Sequence, residues 1–302
     1  MKKNRLKISI VTPSYNQGKY LGDCISSIIN QNYQDYEHVI IDGGSKDNSI
    51  DVIKKNESII KYWISEKDKG QYNAINKGFA KTDGDIMGWL NADDKYLPWT
   101  FETVSLIFSK YPQVNWISAS TGFIMNSSGN VVKNYFIGGA SSETFLRGAN
   151  LSRMRAHSRP CIQQESTFWR RSLWEKAGAF VEETYSLASD YELWARYFNY
   201  SELYSINLPL ACFRKHTGQK TSNLLEEYNI EALEILNNYK GRPYRAVERH
   251  VRKTLWNIFG NRNLYKLPNN LVSLFLRLHI LYPVKLINWN GDDWEMVTDY
   301  VI

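Results

Sequence analysis

Two hydrophobic periods alternate along the first hundred residues. Ile8 to Val11 form an unbroken apolar run that stops at TPSYNQG, where Pro13 and Gly18 enforce a loop. Leu21, Ile25, Ile28 and Ile29 then recur at helical spacing, and Glu37 to Asp42 reads as a second buried strand closed by GGSKDNS. The cycle repeats with a helix through Ile50 and Ile53, a strand over 59–65, a helix from Gln71 and a strand over 85–91. A β-α-β-α-β-α-β series of this kind predicts an α/β fold: a Rossmann-like, mostly parallel sheet with helices on both faces. In open sheets of this class, ligands bind beyond the carboxyl ends of the strands. Those ends fall at Thr12 to Asn16, Asp42 to Ser45, Glu66 to Gly70 and Asn91 to Asp94, so four polar loops should line one rim.

Composition narrows the setting. The 302 residues are 43% hydrophobic and 23% charged, which suits one large domain or one domain with an appendage. Cys24, Cys161 and Cys212 lie far apart, a pattern that suggests neither a disulfide framework nor a structural zinc site and fits a reducing cytoplasm. The first residues carry too short an apolar run for a secretory leader. The most lipid-like stretch, Leu271 to Ile287, is interrupted by Arg277, His279, Pro283 and Lys285, so no spanning helix is expected. The net charge of +6 is unevenly placed: ten Lys or Arg against Glu248 alone between Lys240 and Asn290 leave the remainder slightly acidic.

The feature that calls for chemistry is GWLNADDKYLP, a buried strand that ends on Asp93 and Asp94. Adjacent carboxylates repel unless a cation sits between them and a ligand. A few hard oxygen ligands on a loop suit Mg²⁺ or Mn²⁺ carried by a nucleotide diphosphate. The plainer account is a solvated turn before a helix that starts near Pro98. Neither G-x-G-x-x-G after the first strand nor a phosphate-loop motif is present.

Three blocks decide between these accounts. ISIVTPSYNQGKYLGDCISSIINQNYQDYEHVIIDGGSKDNSIDVI, SEKDKGQYNAINKGFAKTDGDIMGWLNADD and SDYELWAR, in that order and spacing, resemble the inverting glycosyltransferases of family 2, which have the GT-A fold; the likeness runs from about Lys7 to Ser222. The resemblance implies a catalytic domain over 1–222, with a nucleotide-sugar half (about 1–121) and an acceptor half (about 122–222), followed by a mainly helical extension over 223–302. It implies that Thr12, Pro13, Ser14 and Tyr15 cup the nucleotide base, that Asp42 bonds the uracil, and that Lys69 and Gly70 close over base and diphosphate; Asn73, Asn76 and Lys77 lie on the following helix, as part of the nucleotide-sugar site or as a solvated face. Asn91, Ala92 and Asp93 match the family's D-x-D motif with Asn in the first place, so Asp93 would be the direct metal ligand and Asp94 a loop organiser or sugar contact. His216, in FRKHTGQKTS, would complete the metal or pyrophosphate site.

In SDYELWAR, Ser189 and Glu192 read as a capping box, with Asp190 a first-turn acid kept ionised by the helix terminus. By resemblance Asp190 is the base, although the family's usual Glu-Asp pair stands here as Ser189-Asp190. Gln164 and Glu165 fall where related enzymes meet donor or acceptor hydroxyls, the alternative being a plain edge strand over 166–171. Arg147, Arg153, Arg155 and Arg159 either meet a lipid-linked diphosphate acceptor or form a basic loop. The implied activity is metal-dependent inverting transfer from a nucleotide diphosphate sugar, by default a UDP-sugar, to a hydroxyl of a glycan or lipid-linked glycan. The alternatives are an inactive nucleotide-sugar-binding module, which would be expected to lose Asp93 or Asp190, and a basic nucleic-acid-binding protein, which leaves the acidic rim unexplained; no nucleic acid partner is expected. Val247, Val251, Leu255 and Ile258 form one apolar stripe in a basic helix, to be packed on the domain or laid on the inner membrane face through residues 240–290.

Overall fold

A computed structural model of the protein describes residues 5–151, 162–219, 224–263 and 268–301. The predicted alternation is present: β1 (Ile8–Ser14), α1 (Gly18–Ile29), β2 (Tyr36–Asp42), α2 (Ser49–Lys55), β3 (Tyr62–Ser65), α3 (Gln71–Phe79) and β4 (Ile86–Trp89). The third strand begins later than its apolar run suggests, because Glu57–Ile59 wind into a 3₁₀ turn. Strands β1 and β2, β2 and β3, and β1 and β4 pair in parallel, so all four deliver their carboxyl ends to one rim. Gly78 lets α3 lie directly on β1, since a Cβ there would stand 2.3 Å from Val11 Cγ1.

The chain continues through β5 (Lys95–Tyr96), α4 (Thr100–Lys110), β6 (Trp116–Ala119), β7 (Thr121–Met125), β8 (Val131–Phe136), α5 (Ser142–Leu146), a 3₁₀ turn (Gln164–Ser166), β9 (Thr167–Arg170), α6 (Arg171–Lys176), α7 (Ser189–Phe198), β10 (Tyr204–Ile206) and β11 (Ala211–Arg214). Then come α8 (Leu225–Asn238), α9 (Ala246–Asn263), α10 (Asn269–Arg277), β12 (Tyr282–Trp289) and β13 (Trp294–Val301). The main sheet has nine strands in the order β13-β12-β10-β6-β9-β4-β1-β2-β3, and β5-β11-β7-β8 form a smaller one.

The alternative of a plain edge strand over 166–171 is set aside: the segment is β9, which is central and runs antiparallel to both β4 and β6. The C-terminal stretch is mainly helical and also carries two strands: β12 pairs in parallel with β10, and β13 closes a hairpin on it, so the last strands extend the main sheet. No helix among the described residues is long and apolar enough to cross a membrane. Cys24 and Cys212 are buried and unpaired, and Cys161 lies outside the described residues.

The stripe on α9 is oriented opposite to a packed amphipathic helix. Val247 is 74% exposed and Val251 and Ile258 also face solvent, while Leu255 packs beside Val272, Phe275 and Leu276 around Leu281. The inward side carries Arg252, whose guanidinium lies 4.2 Å from the Tyr244 ring and 4.9 Å from that of Tyr282, and which donates to the carbonyls of His279 and Ile280. Those contacts suit a buried guanidinium, which needs both a π face and acceptors for its N–H groups.

The largest core runs beneath the rim. Trp194 of α7 lies between Trp89 of β4 (6.1 Å between ring centroids, 8° between planes) and Trp116 of β6 (5.6 Å, 23°), with Trp169, Tyr197 and Phe79 around them. Trp194→Ala removes a fully buried ring from three elements at once and should lower the unfolding free energy by about 3–5 kcal/mol. Urea denaturation checks this; a loss below about 1 kcal/mol would show that the stack does not hold α7 to the sheet.

Candidate active site

The first two rim loops clasp each other. The Asn16 N–H donates to Ser45 Oγ (2.7 Å), the Lys46 N–H to Asn16 Oδ1 (2.8 Å) and the Gly18 N–H to Asp47 Oδ2 (2.9 Å). Thr12, Pro13 and Ser14 are buried, and Thr12 Oγ1 is bonded to His38 Nε2 at 2.9 Å, so the Thr12 side chain faces the core instead of a ligand. Tyr15, 60% exposed, is the member of that group that reaches the rim. Asp42 is buried and organises its loop. Its Oδ2 accepts from the Gly44 N–H (3.1 Å), the Ser45 N–H (2.8 Å) and the Ser65 hydroxyl (2.7 Å), and its Oδ1 from the Ser45 hydroxyl (2.5 Å). Asp68, which the sequence reading passed over, is the half-buried acid next to it: Oδ1 accepts the Gly70 N–H at 2.8 Å, and Oδ2 lies 2.9 Å from where a Gly43 Cβ would stand.

The third loop turns into α3 through Gly70, whose φ of +118° with ψ of 178° belongs to glycine. Lys69 is exposed, and its N–H reaches Asn73 Oδ1 at 3.4 Å. The amides of Asn73 and Asn76 both bond Glu183, Asn76 also bonds the Val181 backbone in both directions, and Lys77 pairs with Glu66 at 2.7 Å. Asn73 and Asn76 therefore moor the 181–183 segment, while Lys77 is paired with Glu66.

The fourth loop holds the acids. Asn91 is gripped on both sides, its Oδ1 accepting from Gln71 (2.8 Å) and its Nδ2 donating to Gln164 (3.2 Å), while Gln164 Nε2 donates to the Trp89 carbonyl (2.8 Å). Ala92 is buried, and the Asp94 N–H closes a turn on the Asn91 carbonyl. Asp93 projects to His216, with Oδ2 and Nε2 3.0 Å apart. Arg214, missed in the sequence although it lies two residues before His216 on a strand, builds the corner: its Nε donates to the Asp93 carbonyl (2.6 Å), its N–H to Asp94 Oδ1 (2.8 Å) and its Nη2 to Asp23 (2.8 Å). Asp94 is thus a loop organiser. Its Oδ2 is buried with no hydrogen-bond partner, and burial, then the charge of Asp93, push its carboxyl well above the usual range. Glu165 accepts from Gln163 Nε2 (2.6 Å), which also donates to Tyr135 (2.7 Å). Burial, reinforced by the charges of Asp190 and Asp93, raises Glu165 to about 7.

Asp190 occupies the first turn of α7, but without the capping box. Ala188 is the N-cap; the Ser189 hydroxyl donates to the Tyr185 carbonyl (3.1 Å), and Glu192 is engaged by Arg196 and by the Tyr239 hydroxyl (2.7 Å). The sequence suggested the cap because Ser-x-x-Glu has the right spacing; the helix begins one residue too early for it. Asp190 Oδ1 accepts from the Tyr191 N–H (2.7 Å) and lies 3.5 Å from the Tyr228 hydroxyl. Burial outweighs these bonds and lifts its carboxyl to about 6, a contribution that the helix terminus does not cancel. Of the arginines, Arg147 pairs with Glu248 (2.5 Å) and covers the Tyr244 ring (4.7 Å), while 153, 155 and 159 lie outside the described residues.

No group of three or more His, Cys, Asp or Glu placed to hold a metal occurs among the described residues. Among the described residues, Asp93 and His216 bring one carboxylate and one imidazole into direct contact. That pair fits a cation whose other positions go to diphosphate oxygens or water.

A mostly parallel sheet with one inserted antiparallel strand and an acid pair at the rim is the architecture of the GT-A sugar-nucleotide enzymes. The fold resembles Staphylococcus aureus TarS 1–349 in complex with UDP-GlcNAc (TM-score 0.56, 16% identity, 91% of this chain and 79% of that one). It also resembles the mannosyltransferase PcManGT from Pyrobaculum calidifontis in complex with GDP-Man and Mn²⁺ (TM-score 0.54, 15% identity, 91% and 76%). The family model described as glycosyl transferase family 2 matches residues 9–176, more than half of the chain, and the protein belongs to that family. An uncharacterized glycosyltransferase of Rickettsia prowazekii is 26% identical over 247 residues (73% of this chain, 69% of that one). Another, of Nostoc sp., is 36% identical over 106 residues, and the match spans 34% of this chain and 33% of that relative. The family match stops before Asp190 and His216, which the fold alone brings to the rim.

The raised carboxyl of Glu165 yields a stability prediction. A group whose folded value lies above its unfolded one contributes stability at low pH and loses it as pH rises through the folded value, here about 7. Glu165→Gln should therefore raise the unfolding free energy at pH 8 by up to about 3 kcal/mol and leave it nearly unchanged at pH 4, as read by denaturant titration. Equal effects at the two pH values would contradict the assignment.

Proposed function

We propose that the protein transfers a sugar, with inversion, from a nucleotide diphosphate sugar to a hydroxyl of a glycan or lipid-linked glycan, with UDP the default nucleotide. The observation that carries this reading is the Asp93–His216 pair, 3.0 Å apart, on the same rim as Asp190, with Glu165 feeling the charge of both acids. The likeness to TarS in complex with UDP-GlcNAc and to PcManGT in complex with GDP-Man and Mn²⁺ supports a nucleotide-sugar donor.

In this mechanism Asp190 is the base. A carboxyl at about 6 is mostly ionised at neutral pH, yet more basic than an ordinary aspartate, which suits removal of an acceptor hydroxyl proton as that oxygen attacks the anomeric carbon. Attack comes from the face opposite the diphosphate, so one displacement inverts the centre. Asp93 and His216 would hold Mn²⁺ or Mg²⁺, which supplies neutralisation of the charge that develops on the departing diphosphate. Arg214 keeps the Asp93 backbone in place, and Asn91, held by Gln71 and Gln164, is fixed beside it.

Residues 240–290 are a candidate inner-leaflet contact. Val247, Val251, Ile258, Leu274 and Leu278 are exposed, as are Lys240, Arg242, Arg245, Lys253 and Arg277, whereas Arg252 is buried and takes no part. Co-sedimentation should favour anionic over neutral vesicles and weaken when Arg245 and Lys253 become Glu; equal recovery on both vesicle types would reject the contact.

Asp93→Ala should abolish metal-dependent UDP binding, measured calorimetrically with Mn²⁺, while the protein stays folded; unchanged affinity rejects the metal assignment. Asp190→Asn should keep UDP affinity within about twofold and lose at least a hundredfold in turnover, in line with the usual contribution of a general base. Because the base acts only when ionised, wild-type turnover should fall as pH drops through about 6, and retention of anomeric configuration by NMR would overturn the single-displacement scheme.

A further inference from the structure

The turn that presents Asp190 is held from outside the matched family region. No side chain within α7 caps its first turn. Three successive backbone N–H groups leading into it converge on Glu231 of α8: Ser186 donates to Oε1, and Leu187 and Ala188 donate to Oε2, each at 2.9 Å. Consecutive N–H groups aimed at one carboxylate form an anion nest at the positive end of the helix. One turn earlier on α8, the Tyr228 hydroxyl stands 3.5 Å from Asp190 Oδ1. At the C-cap of the same helix, the Tyr239 hydroxyl bonds Glu192, the second acid of that turn, and within it Ala232, Ile235 and Leu236 are buried in the core shared with Trp194. From the opposite side, the Tyr72 hydroxyl of α3 donates to the Leu187 carbonyl at 2.7 Å.

We infer that Glu231, assisted by Tyr228, is a positioning residue for Asp190, so that the place and orientation of the base are set by α8. This rests on the reading of Asp190 as the base. Glu231 does not touch a reacting atom; it fixes residues 186–188, and the first turn of α7 follows rigidly from them. It also presents a negative charge to Asp190 and so makes that carboxylate harder to ionise, while the Tyr228 hydroxyl acts in the opposite sense. Among the described residues, Glu165, on the 164–166 turn, and Tyr72, on α3, also feel the charge of Asp190. A moved midpoint reports that the Glu231 charge faces Asp190; a loss of kcat at nearly unchanged KM reports that Glu231 also sets the position of the base.

The test uses the full chain labelled with [4-¹³C]aspartate, the Asp190 signal being identified by its loss in Asp190→Asn. Glu231→Gln, which keeps the shape of the side chain, should shift the Asp190 midpoint to lower pH, and Tyr228→Phe should shift it upward. With UDP-GlcNAc and Mn²⁺ as probe, Glu231→Gln should lower kcat at least tenfold with KM changed less than twofold, and the acid limb of the kcat profile should move with the NMR midpoint. Unmoved midpoints in both variants, or equal changes in kcat and KM, would overturn the inference. Wild-type turnover in Asp190→Asn would instead remove the base assignment while leaving the NMR result for Glu231 standing, so the two failures are distinct.

Discussion

The stacking of Trp194 between Trp89 and Trp116 is the contact on which the site depends. Trp89 ends β4, four residues before Asp93, and Trp194 lies one helical turn after Asp190. Both chemical groups are therefore cantilevered from the same pile of rings. Aromatic stacking suits that task, because flat rings in a close-packed interior have few alternative placements and transmit a fixed distance between the elements that carry them. The residues at the rim inherit this rigidity, and the polar loops need only point side chains.

Two buried glutamates show how the sheet divides stability from chemistry. Glu37, near the start of β2, meets Lys7, Lys61, the Ser9 hydroxyl and the Asp83 N–H, and these partners hold its carboxyl well below the ordinary range despite its burial. Glu165, at the opposite rim, has the Gln163 amide and the charges of Asp93 and Asp190 for company, and burial drives it up. A buried carboxylate given cations stabilises the fold, whereas one given other acids is kept at a cost that only a ligand or proton relieves. The start of the strands is built for the first purpose and the carboxyl ends for the second.

The C-terminal stretch belongs to the same logic. Strand β12 continues the sheet beside β10, and α8 packs its apolar side under the Trp194 core, so residues after 223 share the framework that carries Asp190. That an Arg, not the valine stripe, of α9 is the residue turned inward follows from the aromatic pocket of Tyr244 and Tyr282, which a guanidinium fills with both π contact and hydrogen bonds.

What the sequence by itself determined is local. The βαβ alternation, the four rim loops and the acids after β4 were legible because apolar periodicity and turn residues act within a few positions. The ordered blocks made the family legible, and the Asp93–His216 pairing then placed side by side two residues that the resemblance had assigned to one site. What only the tertiary structure decided is non-local pairing and occupancy. The central antiparallel place of β9 depends on strands about 50 and about 80 residues away; Asp42 takes a hydrogen bond from Ser65 on the neighbouring strand; the Ser-x-x-Glu spacing lost its capping role once Glu231, 45 residues on from Ser186, took the turn's N–H groups. A one-dimensional pattern specifies which groups want partners, but burial and competition among partners distant in the chain decide which ones they find.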